Sequence, residues 1–208
     1  QIAREIRSSL RDIKPDIVHL HSTFPGVYGR FFKPEFPVVY CAHGWSFVQE
    51  KGALKKAIYT VVEQVLARRT DGIINISQHE FDAAEKVGVT AQHNTVILSG
   101  IEDITEEISA PDLKLNPDQI HLGFIGRLDY KKGFDLAAAV LSKISRSDIH
   151  LHVLGGTSRD GHGRDVPDHP NIHYHGWVQN KQIDGYIQQF DALIVPSRQE
   201  AFGLVVVE

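Results

Sequence analysis

Cysteine is nearly absent: Cys41 is the only one in 208 residues. A single thiol cannot build an internal disulfide framework, so a reducing compartment, the cytoplasm, fits best. Long apolar runs are lacking too. No stretch approaches the roughly 20 residues that span a bilayer, and nothing at Gln1 reads as a signal peptide. A basic excess is also missing. The formal net charge is −4, which leaves no broad positive field for nucleic acid, so any anion site must be local. Methionine is absent altogether, and the chain opens on Gln1 and closes on Glu208 straight after an apolar run. It reads as truncated at both ends.

What is present describes a folded protein. Hydrophobic residues make up 42% and charged residues 23%, ordinary values for a globular chain. Residues 2–13 place Ile2, Ile6, Leu10 and Ile13 at helical spacing, and Pro15 ends that helix. Short apolar runs at 16–20, 37–41, 72–76 and 95–98 read as strands. A helix is expected over 52–69, with Leu54, Ile58, Val61, Val62, Val65 and Leu66 on its apolar face. Ser77 is placed to cap a helix beginning near Gln78. A second series starts at Gln119: strands at 120–125, 149–154, 171–175 and 192–195, helices at 133–144 and 181–189, and a loop over 155–170. Strands alternating with helices imply parallel sheets. The expected organisation is one Rossmann-like domain over 1–102, an acidic linker with prolines over 103–118, and a second Rossmann-like domain over 119–208.

Ligands of such sheets bind where strands end. The run Gly126-Arg127-Leu128-Asp129-Tyr130-Lys131-Lys132-Gly133 lies between a strand and a helix. Glycine permits close backbone approach and the helix start offers N–H groups to an anion. Arg127 and Lys132 add two cations, which suits a diphosphate. Solvation of a helix start explains them less well, because cations there oppose the helix dipole. The spacing matches neither a P-loop nor the dinucleotide fingerprint. A second run, Pro196-Ser197-Arg198-Gln199-Glu200-Ala201-Phe202-Gly203, continues to Glu208 and follows a buried strand. Its two carboxylates, Glu200 and Glu208, would be acceptors for sugar hydroxyls. Alone, two glutamates at this spacing read equally well as solvated surface acids.

Taken together, Gly126-Arg127-Leu128 with Lys132-Gly133, Pro196-Ser197, and the Glu200–Glu208 pair with Phe202-Gly203 resemble the retaining glycosyltransferases of the GT-B fold, the group that includes glycogen- and sucrose-type synthases and bacterial polysaccharide enzymes. The resemblance covers nearly the whole chain. It implies an α/β fold of two Rossmann-like domains facing a cleft, and transfer of a sugar from a nucleoside-diphosphate donor to a hydroxyl with retention at the anomeric carbon. It assigns Arg127 and Lys132, beside Gly126, to the donor diphosphate. Glu200 goes to the sugar hydroxyls, with backbone around Phe202 and Gly203 assisting, and Glu208 to the ribose. Backbone near Trp177 and Val178 goes to the base, and His43 to the donor sugar or the anomeric charge. Ser99 stands where many relatives carry asparagine. No cofactor or metal is expected, since the two cations would serve the leaving group. The acceptor would be a saccharide or a lipid-linked sugar; the latter would bring the protein to the inner membrane face, where Lys51, Lys55, Lys56, Arg68 and Arg69 could meet anionic lipid. A solvated helix face is the plainer reading of those cations.

Three competing readings are available. Glu200 and Glu208 could serve a glycoside hydrolase, whose carboxyl groups sit about 5–9.5 Å apart, yet hydrolysis does not call for a diphosphate site. Twelve histidines suggest a metal centre. His19 and His21, His150 and His152, and His173 and His175 each share a strand face, but the sequence shows no cysteine or carboxylate cluster to complete a ligand set. Cys41 itself reads as a small buried hydrophobe. A nucleotide-sugar-binding module or regulatory relative without transfer activity is the non-enzymatic reading.

Overall fold

The computed structural model describes residues 1–32, 35–49, 52–101, 111–157 and 168–207. The chain divides into two compact units, Gln1–Gly100 and Ile101–Glu208.

The first unit runs α1 (Ile2–Ile13), β1 (Val18–His21), α2 (Thr23–Arg30), β2 (Val38–Cys41), α3 (Ala53–Ala67), β3 (Gly72–Asn75), α4 (Gln78–Lys86) and β4 (His93–Val96). Its four strands form a parallel sheet in the order β1-β2-β3-β4. Val38, Tyr40, Trp45, Phe47, Ala67, Ile73 and Val89 fill the core. Ser77 caps α4 as expected: its hydroxyl accepts from the Glu80 N–H at 3.2 Å, while the Glu80 carboxylate accepts from the Ile76 N–H.

Two features of this unit depart from the sequence reading. Helix α2 was not anticipated, because Pro25, Gly26 and Gly29 are poor helix formers. Pro25 is tolerated because the first-turn N–H groups need no helical partner. The second departure is α3. Leu54, Ile58, Val61 and Val65 of the expected apolar face are exposed, whereas Leu66 of that face is buried, together with Glu63 and Ala67. Glu63 is buried in an ion pair. Arg30 of α2 is fully buried and meets Glu63 at 2.9 Å. It also donates to the Gly26 carbonyl and lies 3.7 Å from the Tyr40 ring centroid. Burial raises the Glu63 pKa, and Arg30 opposes that shift.

The second unit runs β5 (Ile120–Ile125), α5 (Phe134–Leu141), β6 (Ile149–Leu154), β7 (Ile172–Gly176), α6 (Asn180–Ile187), β8 (Ala192–Leu193) and α7 (Leu204–Val207). Its parallel sheet has the order β7-β6-β5-β8. Phe124, Phe134, Ala138, Leu151 and Val153 form the core. Of the expected linker over 103–118, residues 103–110 lie outside the described residues. Pro111 and Leu113 are fastened to this unit through Gln189, which accepts from the Leu113 N–H at 2.9 Å and donates to the Pro111 carbonyl at 3.1 Å. Of the expected loop over 155–170, residues 158–167 also fall outside the described residues.

The histidines of this sheet are not confined to edges and loops. His152 lies on β6, between β5 and β7, and both it and His121 are buried. They meet at 3.0 Å, His152 meets His175 at 3.1 Å, and His150 meets His173 at 2.9 Å. The ring of Phe190 stacks on His152. Imidazole is flat and partly apolar, so a face of such rings packs like an aromatic layer; within it the buried Nε2 of His150 has no hydrogen-bond partner.

Candidate functional site

In the second sheet the chain passes from β5 to β6 to β7 in one direction, then returns to place β8 on the other side of β5. The strand order therefore reverses between β5 and β8. The carboxyl ends at such a reversal splay their loops apart, which is where open α/β sheets bind ligands. The loop after β5 carries Gly126 to Gly133, and the loop after β8 carries Pro196 to Gly203.

The two loops are joined side chain to side chain. Lys132 Nζ meets Glu200 Oε1 at 2.6 Å, and the Ser197 hydroxyl donates to the same oxygen at 2.8 Å. Asp129 orders the cationic turn. One of its oxygens accepts from the Lys132 N–H at 2.9 Å, and the other pairs with Arg127 at 3.0 Å. Arg127 is half exposed, so its guanidinium remains reachable from solvent. Glycine is required at two places. Gly133 has φ 71°, and a Cβ there would overlap the Pro196 carbonyl. Gly155 has φ 134°, and a Cβ there would overlap the Gly126 carbonyl. Both loops are thus held at backbone contact.

Arg198 was passed over in the sequence reading. Its guanidinium grips both oxygens of Asp135, in the first turn of α5, and donates to the Tyr130 carbonyl. Its backbone N–H donates to the Lys131 carbonyl at 2.8 Å. The hint available in the sequence was an arginine inside the Pro196–Gly203 run with an aspartate at the start of the facing helix.

Of the other sequence candidates in this unit, Gly203 turns at φ 82° just before α7, and Phe202 is partly buried. Trp177 follows β7 and is largely exposed, with its indole against Gly156; Val178 beside it is partly buried. Glu208 falls outside the described residues. The structure thus brings Arg127, Lys132 and Glu200 into one cluster at the sheet reversal, with Trp177 on the same carboxyl edge.

His43 belongs to the first unit. It follows β2 with φ 50°, and its Nε2 meets His21 Nδ1 at 2.8 Å. Burial lowers its pKa and the neighbouring His21 lowers it further, which favours the neutral ring.

A family profile described as "Glycosyl transferases group 1" matches residues 119–208, and one described as "Glycosyltransferase Family 4" matches residues 1–103. The chain belongs to the group 1 glycosyltransferases. Among curated relatives, an uncharacterized 41.2 kDa protein in the cps region of Klebsiella pneumoniae is 32% identical over 98% of the chain and 60% of its own length. The O-antigen biosynthesis glycosyltransferase WbnH of Escherichia coli is 28% identical over 85% of the chain and 51% of its own length. The chain therefore spans between half and three fifths of the length of these two relatives. Among solved structures, Anabaena Alr3699/HepE in complex with UDP-glucose superposes with a TM-score of 0.79 at 19% identity, over 99% of this chain and 59% of that one. At that identity the likeness speaks for the fold, which is GT-B.

Proposed function

We propose that this chain supplies most of the donor site of a retaining glycosyltransferase. The enzyme would move a sugar from a nucleoside-diphosphate donor to a hydroxyl acceptor during polysaccharide or glycoconjugate synthesis. The observation that carries the reading is the Lys132–Glu200 contact at the sheet reversal, beside Arg127. A diphosphate leaving group accumulates negative charge as its bond to the anomeric carbon breaks. Preorganised cations stabilise that charge without reorganising during the reaction. Arg127 would grip phosphate oxygens in a bidentate way and Lys132 would act as a point charge. Lys132 is held by Glu200, whose carboxylate keeps accepting capacity for sugar hydroxyls. Trp177 and Val178 would face the base, and Glu208 the ribose. His43, as a neutral ring, would accept from or donate to the sugar. No metal is assigned to the phosphates.

The relatives support this reading. The name of WbnH places that protein in O-antigen biosynthesis, and the neighbouring Anabaena structure holds UDP-glucose. Among the described residues no helix is long and apolar enough to cross a membrane. A cytoplasmic enzyme working on a saccharide, or at the inner membrane face on a lipid-linked acceptor, fits that observation.

The deciding measurement is sugar release from a panel of nucleotide sugars by the full-length protein and its Lys132→Ala variant. Each charge-assisted hydrogen bond contributes about 1.5–3 kcal/mol, so the variant should lose roughly ten- to a hundredfold in donor affinity or rate. Near-normal turnover by a folded variant would remove Lys132 from the site. Donor binding without any transfer would favour a binding module.

A further inference from the structure

Three histidines of the second unit form a relay across its sheet. His121 on β5 and His150 on β6 are register partners, as are His152 on β6 and His173 on β7. The relay bonds run diagonally instead. His121 Nδ1 meets His152 Nε2 at 3.0 Å, and His152 Nδ1 meets His175 Nε2 at 3.1 Å. The far end is fixed by the Asn116 carbonyl, 3.0 Å from His121 Nε2. A carbonyl only accepts, so a neutral His121 carries its proton on Nε2 and accepts at Nδ1. His152 then donates from Nε2 and accepts at Nδ1, and His175 donates to it from Nε2. Burial and the neighbouring imidazoles push the His152 pKa down to about 3, which keeps that ring neutral near neutral pH.

His121 and His152 are buried where valine or isoleucine would serve the core. Burying a polar ring costs stability unless it is bonded, and what a bonded network returns is a fixed geometry. Here it ends on an irregularity. Val153 pairs with Tyr174 and Leu154 pairs with Gly176, so His175 is an extra residue, a bulge in β7. Regular pairing would shift everything after His175 by one residue, about 3.3 Å. The residues that follow are Gly176, which turns at φ 70°, and Trp177, whose indole lies against Gly156. The Gly156 carbonyl accepts from the Leu128 N–H at 3.0 Å, which puts Trp177 beside the cationic turn, where a base joined to a diphosphate must lie. We infer that His175 is a positioning residue for nucleobase recognition: held by His152, it locks the β7 bulge and so sets the Trp177–Val178 backbone against the base of the donor. The inference rests on the assignment of that backbone to the base. The cationic turn has its own anchors in Asp129 and Glu200, so the phosphate part of binding does not depend on the bulge.

The test compares nucleotides with inorganic pyrophosphate, which offers the phosphates without a base. Calorimetric titration of the full-length protein with UDP, ADP, GDP and pyrophosphate isolates the part of binding that the base supplies. His175→Leu, which removes the donor to His152, should weaken the preferred nucleotide about tenfold and leave pyrophosphate within about twofold. His175→Asn, polar but too short to reach His152, should do the same, and it serves as the test if leucine unfolds the unit. His175→Gln, whose amide can donate from nearly the position of Nε2, should recover most of the loss. His150→Leu, in the same layer but outside the relay, should keep wild-type selectivity. An equal loss for nucleotide and pyrophosphate would overturn the inference. So would unchanged nucleotide affinity in the leucine and asparagine variants, or the same selective loss in His150→Leu. A wild-type protein that binds pyrophosphate as tightly as every nucleotide would remove the base assignment itself, and the inference with it.

Discussion

Arg198 and Asp135 form a two-pronged pair, at 2.7 and 2.9 Å, between the loop after β8 and the first turn of α5. The guanidinium also lies 4.0 Å from the ring centroid of Tyr130. The pair ties the loop after β8 to the start of α5, as the Lys132–Glu200 contact ties that loop to the one after β5. Arg198→Ala should raise the KM for donor about tenfold, since one charge-assisted bond carries about 1.5–3 kcal/mol. Arg198→Lys should recover only part of it, because lysine cannot reproduce the planar fork. Donor titrations of both variants check this. Equal affinities for wild type and Arg198→Ala would show that the loops hold their spacing without it.

Gly155 allows two backbones to touch. Gly155→Ala forces a side chain into a left-handed backbone and against the Gly126 carbonyl, which cannot swing away as a side chain would. Strained backbone of this kind costs about 1–3 kcal/mol, and the overlap adds to it. Thermal unfolding should show a marked drop in Tm. Gly100→Ala is the control, since nothing lies within 4 Å of a Cβ there. Matching Tm values for the two variants would contradict the close approach.

The Arg30–Glu63 pair governs the first unit. Arg30→Met alone leaves a carboxylate buried without its counter-charge. The expected loss is about 3–5 kcal/mol, read from urea unfolding. Adding Glu63→Leu should return most of that stability, because an apolar pair avoids the desolvation cost. A double variant no better than the single one would mean that packing, not charge, dominates.

The histidine layer predicts acid sensitivity. Burial and the surrounding imidazoles push the His152 pKa down to about 3, and His150, His173 and His175 are lowered for the same reasons. In the unfolded chain a histidine titrates near about 6.5. Between those two values the unfolded state binds more protons than the folded one, so stability rises with pH there. His152 therefore contributes fully above its unfolded pKa, and its contribution is lost as pH falls from about 6.5 toward 3. The slope is at most about 1.4 kcal/mol per pH unit for each such group. Urea midpoints at several pH values should fall on acidification, and His152→Gln should flatten the curve. A midpoint constant from pH 7 to 5 would show that these histidines take up protons as readily in the folded state as in the unfolded one.

The sequence disclosed the second unit better than the first. β5 and β6 fell where their apolar runs begin and end, because both are six-residue runs bounded by glycine or polar residues. The cationic turn was legible because Arg127, Lys132 and their glycines are contiguous. Its tie to Glu200 was not, since that contact spans 68 residues and depends on how β8 docks. The burial of α3 was misread because periodicity reports an apolar stripe without saying which face a buried arginine will claim. Cys41 read as a small buried hydrophobe. Its neighbour His21 reaches it only through the register of β1 and β2.

The pairing of β8 with β5 has a consequence for how the second unit is made. β5, β6 and β7 meet their partners in chain order, whereas β8 must return across the chain to lie beside Leu122 and Gly123. Long-range pairings are rewarded only after the entropy of closing the intervening chain has been met. A three-stranded sheet is thus expected to assemble before β8 docks, and the cationic turn waits without its carboxylate until then. Hydrogen exchange at the Ile194 amide, which donates to the Gly123 carbonyl at 2.8 Å, would follow that last step. Protection there arriving together with that of β6 would mean that the unit closes in one event.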